Sequence, residues 1–493
     1  MSRDSCDLLI VGAGINGAGI ARDAALRGFD VVVCDRGDIA GATSSASTKL
    51  IHGGLRYLEQ GAFGLVRESL QERETLGRIA AHLVRPQRFI VPHTGERPAW
   101  MLAAGLTLYD LLAGTTCLPR SQRLPPGFPL LGRLQPAVGA AHAYYDLWVD
   151  DARLTLCTLI DAQALGARVR PRSALIGVAP DGDRWRCTVR DAAGEATVMA
   201  RCVVNVAGPW MSAVEALRGV VAPPVRLVQG THIVVPRLHD GEDAWLLQQP
   251  DRRVVFVIPF GDDAHLVGTT ETELPSPDLL GATDTERRYL IHCLTRAFGQ
   301  TPSERDIRWE FSGMRPLVGG GGSARTASRE YRMTMDGERG GRGWMSIQGG
   351  KLTTHRRLAE QALDRLTVFF GSDARCGTAD RLLPGAEDAD AAQRPDLARR
   401  LSERHADLPA GWVNALVGRH GSMTSTLLEQ AASGGAGRDF GGGLYEAEVR
   451  WCARHEWAHS ADDLLWRRTK CGVGMSPAQR EAFARWWADQ RPG

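Results

Sequence analysis

Lysine is almost missing from this chain. Of its 59 basic residues only Lys49, Lys351 and Lys470 are lysine. A chain that uses arginine nearly everywhere marks the few places where a compact, movable ammonium is wanted, so each lysine is a pointer to a site. Net charge is also nearly absent, at +2, which gives no reason to expect nucleic acid as a partner. The ten cysteines form no CxxC pair. That argues against a zinc centre or a thioredoxin-type motif, so no metal is expected, and it fits reduced thiols in the cytoplasm. No stretch reaches the roughly 18 apolar residues of a membrane-spanning helix. The N-terminal apolar run is broken by Gly12, Gly14 and Gly17 and has no cleavage pattern, so no signal peptide is expected. What remains is a globular composition, 43% apolar and 24% charged, over 493 residues. That length calls for two or three domains.

The first 35 residues carry a complete βαβ signal. Asp7-Leu-Leu-Ile-Val-Gly12 reads as a short buried parallel strand. Gly12-Ala-Gly14-Ile-Asn16-Gly17 follows, then a helix from Ala18 to Leu26 ending at Gly28, then a second buried strand, Val31-Val-Val-Cys-Asp35. In such a unit Gly12 permits the tight turn, Gly14 lets a pyrophosphate approach the backbone, and Gly17 lets the helix pack on the strand. The helix N-terminus then faces the phosphates. Asp35 is placed to accept hydrogen bonds from a ribose and would repel a 2′-phosphate, which disfavours NADP. The motif alone leaves FAD and NAD open.

The next segment is unusual: Gly41-Ala-Thr43-Ser44-Ser45-Ala-Ser47-Thr-Lys49-Leu50-Ile-His52-Gly53-Gly54-Leu-Arg56-Tyr57. Its hydroxyls offer small donors near a pyrophosphate, and the Gly-Gly step allows close backbone approach to a flat ring. Arg56 and Tyr57 add an anion contact and a hydroxyl, and Phe63 to Ala81 has helical periodicity.

This segment is similar to the FAD-dependent, aerobic, quinone-linked glycerol-3-phosphate dehydrogenase family. The similarity continues in order through Arg97-Pro-Ala-Trp100, Trp148-Val-Asp-Asp-Ala-Arg153, Val204-Asn-Val-Ala-Gly208-Pro-Trp210, Thr231-His232-Ile-Val-Val-Pro236, Phe256-Val-Ile-Pro259, Gly268-Thr-Thr270, Ser312-Gly-Met-Arg315-Pro316, Gly349-Gly350-Lys351-Leu352-Thr353-Thr354 and Asp462-Asp-Leu-Leu-Trp-Arg-Arg-Thr-Lys470. It implies an α/β (α+β) fold: a discontinuous Rossmann-like FAD-binding domain, an antiparallel β-sheet substrate domain and a C-terminal helical cap domain. The expected division is 1–80, 150–224 and 305–371 for FAD, 81–149 and 225–304 for substrate and membrane, a linker over 372–394, and helices over 395–493.

The residues agree with that outline. Asp150 can cap a helix from Asp151 to Leu165. Strand-like runs follow at Ala167–Arg170, Ser173–Val178, Trp185–Val189, Ala196–Ala200 and Cys202–Gly208. Val225 to Phe260 suits an antiparallel sheet. Gly319–Gly322 reads as a loop and Trp344–Gln348 as a strand. A helix is expected from Leu352 to Leu366, and others at Tyr445–His455 and Pro477–Gln490.

The implied reaction oxidises sn-glycerol 3-phosphate to dihydroxyacetone phosphate. Hydride passes from C2 to FAD and electrons pass on to a membrane quinone. The resemblance implies Arg56, Arg315 and Lys351 as phosphate cations, with Tyr57, Thr353 and Thr354 as hydroxyl donors. Gly313 and Pro316 place Arg315 in a loop. His232, on a strand, is the candidate base, with Arg315 and Lys351 able to lower the alcohol's pKa. Gly12, Gly14, Asn16, Gly17, Asp35, Thr43, Ser44, Ser45, Ser47, Lys49, Leu50, His52, Gly53, Gly54, Gly208, Gly349, Gly350, Lys351, Leu352 and Thr353 are the implied cofactor contacts. The helix start at Leu352 would face the negative charge of the reduced ring. Asp35, Gln348, His355 and Glu271 depart from commoner family choices, and none removes a proposed catalytic group.

Trp100 to Ala113 is apolar with a single acid, Asp110, and six arginines lie between Arg85 and Arg133. Such a helix either lies in a lipid interface or is buried. The family's quinone chemistry favours peripheral association with the cytoplasmic membrane, and a homodimer is possible. Three alternatives stand beside this: a soluble oxidase using O₂, although no inserted stretch lies between Arg237 and Pro259, a flavin-binding protein without turnover, and an NAD-binding dehydrogenase.

Overall fold

A computed structural model describes residues 4–135, 138–299, 302–318, 331–387, 393–431 and 434–490. The expected loop at Gly319–Gly322 lies outside the described residues.

The βαβ unit opens the chain. Strand Asp4–Val11, helix α1 (Ile15–Leu26) and strand Val31–Cys34 follow one another, and the strands pair in parallel with Leu9 opposite Val32. Helices α2 (Phe63–Ile79), α3 (Ala99–Ala113) and α4 (Asp151–Ala164) come next. Asp150 caps α4, its side chain accepting from the N–H of Arg153 at 3.0 Å.

Two sheets organise the chain. The first has eight strands in the path Arg332–Asp336, Gly343–Gln348, Gly194–Asn205, Asp4–Val11, Val31–Cys34, Arg168–Arg170, with the hairpin Ala174–Asp181/Arg184–Asp191 set against Gly194–Asn205. Its centre is parallel and buried on both faces, which explains the unbroken apolar runs Leu8–Val11 and Val31–Cys34. Helices α1, α4 and His355–Phe370 cover it, through Ile20, Ala24, Leu156, Leu159, Leu358 and Leu363. Two expected strands, Ala196–Ala200 and Cys202–Gly208, are one 12-residue strand, Gly194–Asn205. One half pairs with the hairpin and the other with Gly343–Gln348.

The second sheet has ten strands, eight of them in the path Thr272–Leu274, Val225–Pro236, Ala264–Gly268, Val254–Pro259, Ala244–Gln248, Val84–Pro92, Ala141–Val149, Leu50–Ile51, with Gln122–Leu124 set against Ala141–Val149. It is antiparallel as expected except where Ala244–Gln248 runs parallel to Val84–Pro92. The chain between those two strands is long enough to make either direction free of a tight connection. Strand Trp309–Val318 lies on Val225–Pro236, placing Arg315 opposite Val228. Arg315 therefore sits on a strand, not in a loop. Pro316 is tolerated because, among the described residues, this strand pairs on one side only.

The C-terminal region is helical, with its own core of Trp412, Leu416, Leu428, Phe440, Trp451, Phe483 and Trp487. The stretch before it is strapped down. Arg381 bonds Asp161, its carbonyl accepts from Arg22, and Leu383 is buried with its N–H on Ile79.

Candidate active site

Among the described residues a cavity of about 1380 Å³ opens at the βαβ turn, where Gly12, Gly14 and Asp35 line it. It passes Asn16, whose side-chain amide donates to the Gly349 carbonyl at 3.1 Å, and reaches Gly349–Thr353, Arg56, Tyr57 and Arg315. Gly12 has φ +120°, open to glycine, and a Cβ there would lie 2.6 Å from the Val206 carbonyl. Gly17 does not line the cavity. A Cβ on it would fall 1.9 Å from the Gly12 carbonyl oxygen, so its bareness lets α1 seat against the turn. The Asp35 carboxylate accepts from the N–H groups of Ala13 (2.7 Å) and Gly37 (2.8 Å), bracing turn and strand end together. Burial pushes its pKa up, against those backbone donors.

The hydroxyl-rich loop is more scaffold than donor array. Thr43, Ser44 and Ser47 all line the cavity, but each hydroxyl has a protein partner. Thr43 donates to the Met314 carbonyl at 2.7 Å, tying the loop to the strand that carries Arg315. Ser44 accepts from the first N–H of α1 at 2.9 Å. Ser47 donates to Asp151 at 2.7 Å. Ser45 and Lys49 lie behind the wall. The Lys49 ammonium is fully buried, 2.7 Å from Asp151 and 3.0 Å from the Ser45 carbonyl, and stands 4.9 Å from the centre of the Phe311 ring. Lys49 is thus not in reach of the cavity, because burial of its charge demands that Asp151 hold it. Gly53 is also behind the wall. Its N–H donates to Tyr109, and a Cβ would strike Leu70 and Tyr109 at 2.8 Å. Leu50, His52, Gly54 and Gly208 reach the cavity.

The charged end is built from three elements. Lys351 follows two glycines of positive φ and holds its ammonium 3.8 Å from the centre of the Tyr57 ring. Arg56 is paired with Glu271 at 2.9 Å, and its Nη2 is buried with no hydrogen-bond partner. Arg315 lies over Gly230, where a Cβ would sit 2.9 Å from its Nη2 and 2.5 Å from Thr269 Oγ1. Three cations and one carboxylate thus face a common space. Thr353 links the Gly349–Thr354 turn to His52 through a hydrogen bond from the His52 N–H at 3.3 Å. Thr354 is buried outside the cavity and precedes the helix, which starts at His355 and not at Leu352. The two left-handed glycines and the turn after them delay helical geometry by three residues.

His232 does not line the cavity. It is buried beneath Thr48, which does, with its Nε2 3.0 Å from the Thr48 hydroxyl and its ring stacked on Phe311. Burial, then the charges of Arg315 and Lys49, lower its pKa well below the usual histidine value, so it is neutral at pH 7.

Several wall residues were given no site role by the linear pattern, although most lie in or beside segments that carry the family resemblance. Glu271 and Thr269 belong to the charged end, and Arg36, stacked 4.3 Å from the Trp210 ring centre, to the other. Ser460, Asp462, Asp463 and Arg467 come from the C-terminal region.

The cavity's contents follow from its walls. A dinucleotide turn, an acid at the end of the second strand and room for a flat ring beside Gly349–Gly350 define a dinucleotide-dependent oxidoreductase fold. Residues 7–356 match the family described as FAD dependent oxidoreductase. Residues 376–486 match the C-terminal domain of alpha-glycerophosphate oxidase. The chain is 40% identical to a glycerol-3-phosphate dehydrogenase of Pseudomonas aeruginosa over 99% of this chain and 96% of that one. It is 39% identical to an aerobic glycerol-3-phosphate dehydrogenase of Escherichia coli over 97% of each. It is also 40% identical to a D-erythritol 1-phosphate dehydrogenase of Brucella abortus over 98% of each. A glycerol-3-phosphate dehydrogenase from Bacillus halodurans, solved with FAD, shares the fold with a TM-score of 0.77 at 24% identity, over 99% of this chain and 91% of that one. The chain belongs to the FAD-dependent glycerol-3-phosphate dehydrogenase family, and its cofactor is FAD.

Proposed function

We propose that this enzyme oxidises sn-glycerol 3-phosphate to dihydroxyacetone phosphate and passes the electrons to a membrane quinone. The observation that carries the substrate is the convergence of Arg315, Lys351 and Arg56 on the cavity that holds the dinucleotide turn. A phosphate dianion fits such a cluster, with Tyr57 and Thr353 beside it. The residues around Asp35 would hold the adenosine of FAD and those of Gly349–Thr353 its flat ring, and the bound group would supply the acceptor for the hydride of the secondary alcohol. Arg315 and Lys351 favour ionisation of that alcohol by their charge. His232 takes the proton through the Thr48 hydroxyl, as a weak base suited to an alcohol already acidified.

A second substrate has one specific support, the D-erythritol 1-phosphate dehydrogenase among the relatives. Both substrates are phosphorylated polyols, so both suit the cationic end. Steady-state rates with sn-glycerol 3-phosphate, D-erythritol 1-phosphate and unphosphorylated glycerol test this. A kcat/KM highest for the first and negligible for glycerol supports the reading. Equal rates with and without phosphate would remove it.

The membrane surface rests on α3. Among the described residues no helix is long and apolar enough to cross a membrane. Leu102, Leu106 and Tyr109 of α3 face inward, while Trp100 (71% exposed) and Leu111 (65%) face out, with Ala104 and Thr107 between them at helical spacing. Met101, Ala104, Gly105, Leu108 and Phe63 line the cavity itself, so an apolar quinone arriving from lipid meets the site directly. Co-sedimentation with anionic vesicles, lost in Trp100→Glu/Leu111→Glu, is expected. Equal sedimentation of the variant would contradict this docking face.

A further inference from the structure

The motif Asp462–Lys470 has no task in the reaction above, yet it reaches the cavity. Among the described residues beyond 394, only Ser460, Asp462, Asp463 and Arg467 line it, all from the six-residue helix Asp463–Arg468 and the turn before it. They stand with Asp38, Arg36, Arg172 and Ser173 near Asp35, the end where a dinucleotide places its adenosine.

The contacts form a closed set of opposite charges. Asp38, buried in the loop after the second strand, accepts from Arg467 Nε (2.5 Å) and from Arg468 Nη1 and Nη2 (2.6 and 2.7 Å). Arg468 is 1% exposed and is completed by the carbonyls of Glu456 and Trp457. Asp463 accepts from Arg172 at 2.9 Å, from Arg467 at 2.5 Å, and from the backbone and hydroxyl of Ser460. A buried pair, Arg153 with Glu456, and a partly buried one, Lys470 with Asp150, fix the flanks to α4 and its cap. A clasp that only held two regions together would be as effective anywhere on their interface. This one places its arginine and carboxylate side chains in the cavity wall.

We propose that Ser460–Arg468 is part of the cofactor site: an arginine–carboxylate latch that closes over the adenosine end and sets how tightly FAD is held. The proposal rests on adenosine lying toward Asp35. Arg467 joins Asp38 to Asp463, so the loop after the second strand and the C-terminal segment move as one wall. FAD leaves only when that wall opens, which couples ion-pair strength to cofactor release.

The test uses the full-length holoenzyme. Free flavin is measured by its fluorescence on dilution, and affinity by titrating FAD into protein stripped of it. Arg467→Gln is expected to raise the FAD dissociation constant by roughly 10- to 100-fold and to speed release. Release from the unaltered enzyme is expected to quicken with salt. Arg381→Gln removes the exposed side of an interface pair with Asp161 remote from the cavity, and is expected to lower the melting temperature with FAD affinity unchanged. If Arg467→Gln does not fold, Arg172→Gln, whose side chain is 42% exposed, loosens the same latch from the Asp463 side. FAD affinity within about twofold of the unaltered enzyme in both latch variants overturns the proposal. Failure of the unaltered chain to bind FAD would instead overturn the cofactor placement on which it rests.

Discussion

Gly17→Ala is a small change with a large expected effect. Its Cβ would stand 1.9 Å from the Gly12 carbonyl oxygen and 3.2 Å from Val206 Cγ2. Ordinary carbon contacts need about 3.5 Å, so turn and helix must part by more than about 1 Å. Helix α1 is the firmer partner, since α4 and His355–Phe370 pack on it and Gly19 meets His355. The turn Gly12–Gly14 therefore yields, and with it the backbone that would cradle the pyrophosphate, whose Gly12 and Ala13 N–H groups are braced on the Cys34 carbonyl and the Asp35 carboxylate. Overpacking of this kind costs about 1–3 kcal/mol, and each charge-assisted bond lost costs about 1.5–3 kcal/mol. A loss of about 2–4 kcal/mol in FAD binding is roughly a 30- to 1000-fold weaker complex. The ratio of flavin to protein absorbance after purification reads this directly, with titration of FAD into stripped protein as the quantitative assay. Gly28→Ala is the control. It has φ +84° with nothing within 4 Å, so it carries only a backbone penalty of about 1–2 kcal/mol and should keep FAD. Full flavin content in Gly17→Ala would refute the account of this turn.

Other expectations follow from the same geometry. Lys351→Arg puts a wider planar cation over Tyr57 beside the crowded Gly350, and turnover should fall about 100-fold with FAD retained; near-normal kinetics would show that a point charge is not required there. Lys49→Met leaves Asp151 buried without its cation, at a cost of about 3 kcal/mol softened by Ser47 and Ala152, and should lower both melting temperature and FAD content; an unchanged melting temperature would contradict its scaffold role. His355 is fully buried, and burial lowers its pKa to about 4. The unfolded chain binds its proton first, so up to about 3 kcal/mol of stability is present above pH 6.5 and is lost as pH falls toward 4. Thermal melts from pH 7.5 to 4.5 should show that loss, and His355→Gln should reduce it by the His355 share while the buried His82, His232 and His265 keep theirs.

Local pattern carried much of the fold. The βαβ unit, the Asp150 cap, strand Gly343–Gln348 and helices Glu446–His455 and Pro477–Asp489 all rest on periodicity and capping within a few residues. What was not legible depends on partners far along the chain. Arg315 looked like a loop residue because Gly313 and Pro316 flank it, and only pairing with Val225–Pro236 makes the segment a strand. The Ser-rich loop looked like a row of donors, whereas Met314, Asp151 and the start of α1 occupy its hydroxyls. The lysine bias was informative in an unexpected way. Lys351 reaches the cavity, while Lys49 is buried against Asp151 and Lys470 pairs, partly buried, with the adjacent Asp150. The latch could not be read at all, since Asp38 and Arg468 are 430 positions apart.

The central claim is that FAD and a phosphorylated polyol share the cavity lined by the βαβ turn, Arg315 and Lys351. Mixing purified enzyme anaerobically with sn-glycerol 3-phosphate and following the flavin absorbance band tests it most directly. Bleaching of that band, absent with unphosphorylated glycerol and lost in Arg315→Met with FAD still bound, is the predicted result. A flavin band that does not respond to sn-glycerol 3-phosphate or to D-erythritol 1-phosphate would contradict the account.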